Sequence, residues 1–182
     1  MQTKNTQLID QLLLIIETTT ASAKKFKELS TAQLNYKKSP ETWSILECLE
    51  HLNLYGDFYL PEIQKQVLAA KNISGVLIVK SGVIGNYFAN LMKVKNGEMK
   101  KMQSPKDKNP ANSHLTVTTI DRFLKQQELL KSLILQSKKI DLTKTKTAIS
   151  ISSLIKLRLG DTFRFLVYHI DRHIQQAERV LK

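Results

Sequence analysis

His169 and His173 stand four residues apart, and on a helix of 3.6 residues per turn that spacing sets them about 40° apart on one face and one turn apart in height. Both imidazoles can then reach one ion. His51 is the third candidate, bordered at helical spacings by Cys48, Tyr55 and Phe58. Neutral imidazole suits zinc, nickel, copper and iron. Three protein ligands leave a coordination position open for water or substrate, which makes catalysis possible. Spacing alone leaves a second reading open, in which an H-x-x-x-H pair is partly exposed surface or is satisfied by core hydrogen bonds. His114 lies in a polar stretch without a periodic partner and carries no such expectation.

Four amphipathic segments must position these side chains. Leu8, Leu12, Ile15, Thr19, Ala23, Phe26 and Leu29 recur at spacings of three and four, predicting a first helix over about residues 5–30. Asn35 to Pro40 reads as a connection. Ser44 and Glu47 form a capping-box signature at the start of a second helix, and Trp43 and Cys48 are spaced for a hydrophobic staple across that cap. The helix continues through Leu49, Leu52, Tyr55 and Tyr59 to Pro61, which should kink or divide it. Val76 to Val79 suits a short strand and Gly82 to Met92 a modest helix. Lys93 to Leu115 has no apolar period and contains two prolines, so it reads as a functional loop, a crossover or a partly disordered stretch. Thr118-x-x-Asp121 opens a third helix that fades near Ile140. The last helix is expected from Ser152 or Ser153, carrying Ile155, Leu159, Phe163, Leu166, Ile170, Ile174, Ala177 and Leu181, with Gly160 a local weakness. Four long helices with one long connection predict an all-α bundle of the crossover type, as a single domain over residues 1–182.

Composition narrows the partners and the compartment. A lone cysteine, Cys48, excludes an intramolecular disulfide framework and points to a cytoplasmic protein. The early apolar run Leu12 to Ile16 is too short for a secretory segment, and no stretch approaches membrane-spanning length. The formal charge of +12 raises the question of a polyanion partner. The lysines at 93, 95, 100, 101, 106 and 108 and those at 138, 139, 144 and 146 cluster without interleaved aromatics, and no recognition module accompanies them, so nucleic acid is not the expected partner.

Two motifs taken together carry a family resemblance. Trp43-Ser44-Ile45-Leu46-Glu47-Cys48-Leu49-Glu50-His51-Leu52, followed far downstream by His169-Ile170-Asp171-Arg172-His173-Ile174-Gln175-Gln176, resembles in order and separation the DinB-like superfamily, which includes the YfiT-type proteins. The resemblance implies an up-down-down-up four-helix bundle, with a long crossover connection between its second and third helices and residues 93–116 as a long loop. It implies a divalent metal ion held by His51, His169 and His173, zinc or nickel ahead of iron or manganese, commonly in a homodimer. Members with an assigned activity are similar to metal-dependent S-transferases or isomerases that use a low-molecular-weight thiol, such as bacillithiol, mycothiol or glutathione, and the expected partners are such a thiol and a small-molecule electrophile. A metal-dependent hydrolase or isomerase using bound water, and a non-catalytic binding protein with a basic surface, are the alternatives. Tyr55, Thr162 and Gln176 share faces with the ligands and are candidates to hold them. Glu47 is assigned to the cap, Cys48 to the core, and Arg172 either to an anionic substrate or to the surface. No catalytic side chain beyond the ligands is singled out.

Overall fold

The computed structural model describes residues 1–75, 77–95, 97–99 and 102–181, and for Ser153 the backbone alone. Val76 of the expected strand and Lys100 and Lys101 of the basic stretch lie outside the described residues. In chain order the elements are β1 (Gln2–Lys4), α1 (Asn5–Phe26), α2 (Thr31–Asn35), α3 (Ile45–Ala69), β2 (Ile78–Lys80), α4 (Val83–Met92), α5 (Thr118–Gln136), β3 (Lys146–Ile149), β4 (Ser152–Arg158) and α6 (Leu159–Val180). Single 3-10 turns occupy Lys106–Lys108 and Ser137–Lys139.

The protein is mostly helical, as its apolar periodicity predicts. Leu8, Leu12, Ile16, Thr19, Ala23 and Phe26 form the buried face of α1. The capping box of α3 is made as expected: the Glu47 N–H donates to Ser44 Oγ at 3.2 Å, and the Ser44 N–H donates to the Glu47 carboxylate at 2.9 Å. Around these helices α1 packs on α5 and α6, α3 packs on the same two, and α4 lies on α6. Ion pairs tie Lys27 to Asp121 and Lys131 to Glu17 between α1 and α5. Arg122 of α5 pairs with both Glu50 and Asp57 of α3. No helix among the described residues is long and apolar enough to cross a membrane.

The all-α expectation holds in outline, with two small antiparallel sheets added among the described residues, β1 with β2 and β3 with β4. Three expectations need correction. The last helix does not begin at Ser152: residues 152–158 are β4, registered Lys146↔Arg158 and Thr147↔Leu157 against β3, with an irregularity between Ala148 and Ile149. Pro61 neither ends nor divides α3, which runs on to Ala69 because Tyr59, Leu60, Ile63 and Val67 are buried on both sides of it. Thr118 is not a cap residue. It is the first residue of α5, which has no side-chain cap, and Asp121 is paired with Lys27 instead.

The N-terminal turn of α6 also fastens α4. Buried Asp161 accepts the Gly82 N–H at 2.7 Å and pairs with Arg164 at 3.1 Å, and Arg164 donates onward to Ser81 and Asn86. Gly160 is less a weakness than a close-approach site, since a Cβ there would meet Val79 at 2.8 Å. At Gly85 a Cβ would lie 2.6 Å from both Cβ and Oδ2 of Asp161, which the network holds in place. Gly85→Ala is therefore expected to destabilise the protein by about 1–3 kcal/mol through overpacking, read as a lower urea midpoint. An unchanged midpoint would mean that α4 shifts freely on α6.

Candidate metal centre

Packing of α3 against α6 brings the three expected histidines together. His51, His169 and His173 are buried, with 3%, 4% and 8% of their surface exposed. Their ring centroids lie 4.6–5.0 Å apart, and one nitrogen from each falls within 4.8 Å of the others. Nε2 of His51 and Nε2 of His169 lie 3.1 Å apart.

Hydrogen bonds at the outer nitrogens fix how two rings present themselves. Nδ1 of His51 lies 2.6 Å from the Lys108 carbonyl oxygen, and because a carbonyl only accepts, Nδ1 carries the proton and Nε2 the lone pair. Nδ1 of His173 donates in the same way to Gln176 Oε1 at 2.9 Å, leaving its Nε2 unprotonated. Nδ1 of His169 is buried without a hydrogen-bond partner among the described residues. Burial drives all three towards the neutral form. It lowers His51 to about 4, against the opposing effect of the Lys108 carbonyl. It also lowers His169 and His173, helped by the charges of the neighbouring histidines and of Arg172. A neutral imidazole with a free nitrogen lone pair is the form that binds a metal.

These residues fit a divalent cation. A separation of 3.1 Å is shorter than two zinc–nitrogen bonds of about 2.0–2.1 Å laid end to end, so one ion reaches both nitrogens. The donor set is all nitrogen, which suits zinc or nickel. Aromatic rings hold the imidazoles in place: Trp43 lies 4.7 Å from His51 and 5.7 Å from His173, Tyr55 lies 4.5 Å edge-on to His169, and Phe165 stacks on His169 at 5.7 Å.

The three histidines open onto a cavity of about 1410 Å³. Ser39, Thr42, Gln103, Ser104 and Asn109 give it one polar side, and side chains from α4 and the β3–β4 hairpin give it an apolar one.

The other candidates separate cleanly. Gln176 is the hydrogen-bond partner of His173, as expected. Tyr55 contributes a packed ring. Thr162 serves a different purpose, joining Thr147 at 2.6 Å and so holding the hairpin to α6. Glu47 completes the cap and also accepts from Lys37 and from the Asn112 N–H. Cys48 is fully buried, is absent from the cavity lining, and has its thiol pushed far up by burial. Arg172 is buried and lines the cavity. His114 is exposed.

The contribution of the 93–115 stretch has no side-chain signature. It is anchored to the site by the Lys108 carbonyl on His51 and the Asn112 N–H on Glu47. The only sequence signal was an unusually long polar connection.

Replacing Gln176 by Leu removes the acceptor for the His173 Nδ1–H and is expected to weaken metal affinity by about 10–100-fold. Competition with a chelating dye measures this, and undiminished affinity would show that Gln176 does not orient the ring.

A family model described as the DinB superfamily matches residues 15–177. None of the curated proteins and none of the solved structures matches the chain.

Proposed function

The chain belongs to the DinB superfamily, and from that premise we propose that it is a metal-dependent S-transferase joining a low-molecular-weight thiol to a small-molecule electrophile. The observation that carries the proposal is the set of three buried imidazoles close to one another on the lining of a large cavity. A divalent ion there, zinc or nickel before iron or manganese, would favour thiolate over thiol at a coordinated sulfur, and thiolate is the nucleophile. In the transfer a sulfur–carbon bond forms, the leaving group departs with the electron pair, and the thiol proton goes to solvent.

The chain's own residues have supporting parts. Lys108 and Gln176 hold the His51 and His173 rings through their Nδ1 protons. Trp43, Tyr55 and Phe165 crowd the imidazoles and limit water around them. Arg172, directly before His173 on α6, contributes positive charge to the cavity lining, which favours an anionic reactant. Cys48 takes no part, since its thiol is neutral and sealed in the core.

The test is turnover of a chromogenic electrophile such as 1-chloro-2,4-dinitrobenzene by metal-loaded protein, with bacillithiol, mycothiol or glutathione offered in turn. Product that requires both metal and thiol supports the proposal. Turnover without thiol would support a metal-dependent hydrolase or isomerase instead, and fully loaded protein inert with every thiol would overturn it.

We read α1, α3, α5 and α6 as an up-down-down-up bundle, with α4 and the 93–115 stretch in the crossover. In support, Lys27 just after α1 pairs with Asp121 in the first turn of α5 and Glu17 in the middle of α1 pairs with Lys131 later in α5, an antiparallel order, whereas Arg122 joins the early turns of α3 and α5. A homodimer in the cytoplasm is part of the same reading, supported by exposed Val83, Ile84 and Tyr87 on α4 and Leu154 on β4. Sedimentation velocity tests it: a dimer that Val83→Asp dissociates is expected, and a monomer at all concentrations would contradict it.

A further inference from the structure

The apolar side of the cavity is larger than the metal reading requires. Phe88, Leu91 and Met92 project from α4, and Ile149, Ile151 and Leu157 from the β3–β4 hairpin. Ile151 keeps 59% of its surface exposed although it lines this cavity. Met99 and Met102 add unbranched, adaptable side chains from the 93–115 stretch. At about 1410 Å³ the cavity exceeds the roughly 300–1,000 Å³ typical for one small ligand, so it has room for a thiol on its polar side and a second reactant against this wall.

Charge gives that second reactant a head group. Among the described residues the charged side chains lining the cavity are Arg172, Arg179 and Lys106 against Glu41, a net positive lining that raises the local concentration of anions. Arg172 precedes His173 directly on α6 and lines the same cavity as His169 and His173.

We propose that the site takes an amphipathic organic anion: a hydrocarbon body on the wall formed by α4 and the β3–β4 hairpin, and a carboxylate or similarly compact anionic group towards Arg172 and the histidines. This rests on the reading of the cavity as the site of a metal-dependent transferase, and it names the class of the non-thiol reactant. A neutral polar reactant would leave the wall wet, and a wholly apolar one would gain nothing from the net positive lining.

Trp43 is the sole tryptophan and lines the cavity, so its fluorescence reports occupancy. Hexanoate, octanoate, decanoate and decanol are titrated into metal-loaded and metal-free protein, with metal content measured on the same samples. Affinity is expected to rise about fourfold per methylene from hexanoate to decanoate, and decanol to bind at least tenfold more weakly than decanoate. Leu91→Gln combined with Ile151→Gln should flatten the chain-length series, and Arg172→Gln should remove the preference for carboxylate over alcohol. The series on unaltered protein decides the matter even if a variant fails to fold. Affinity independent of chain length, or decanol binding as well as decanoate, would overturn the proposal. The transferase reading fails separately, through absent metal or absent thiol turnover.

Discussion

Saturating zinc is expected to raise the melting temperature of the metal-free protein by about 8–16 °C, and His169→Ala to abolish that rise. A ligand bound only by the folded state stabilises it by about 4 kcal/mol at a thousandfold excess over its dissociation constant, and a chain of this size gains roughly 2–4 °C per kcal/mol. The unfolded chain competes poorly, because His51 and His169 are 118 residues apart in sequence and only the fold unites them. His169 is the informative position. Its Nδ1 has no hydrogen-bond partner among the described residues, so truncation orphans no acceptor on that side, and the lost packing on Tyr55 and Phe165 lowers the melting temperature with and without zinc alike. Exposed His114 supplies the control, and His114→Ala should keep the full shift. Scanning calorimetry reads both variants, and a shift that survives in His169→Ala would place zinc elsewhere on the chain.

The second large effect is on pH. Metal-free protein is expected to lose on the order of 3 kcal/mol of stability between pH 6.5 and about 4 through His51 alone. Burial lowers the His51 pKa from 6.5 to about 4 in the folded state, and each unit of difference is worth about 1.4 kcal/mol. The unfolded chain binds the proton first as pH falls, so the stabilisation is fully present above 6.5 and is lost as pH falls to the folded value. His169 and His173 are lowered in the same direction by burial, which steepens the loss. Urea midpoints at pH 7, 5.5 and 4.5 should therefore decrease in that order, and less steeply in His51→Phe. Midpoints indifferent to pH across this window would mean that the imidazoles are not held neutral by burial.

What the sequence revealed follows the range of the interactions concerned. The Ser44–Glu47 box lies within one turn, and residue types at that spacing specify it almost completely. The relation of His169 to His173 is equally local, being set by the helical period. That His51 joins them depends on how α3 packs against α6, and it was visible only because two distant motifs occur together in a family order. The β3–β4 hairpin was misread because Ile155 and Leu159 are spaced like a helical face, whereas strand pairing depends on a partner at 146–149. Pro61 shows packing overriding local preference, with buried side chains before and after it keeping α3 continuous. The Lys108 contact was illegible for a different reason, since a backbone carbonyl is available at every residue and only its placement 2.6 Å from His51 gives it a role.

Elemental analysis of protein prepared without a metal-binding tag and reconstituted with zinc or nickel tests the central claim most directly. Close to one metal ion per chain, lost in both His51→Ala and His169→Ala, is the predicted result. No bound metal after reconstitution, or metal retained by both variants, would contradict it and reduce the three histidines to packing between α3 and α6.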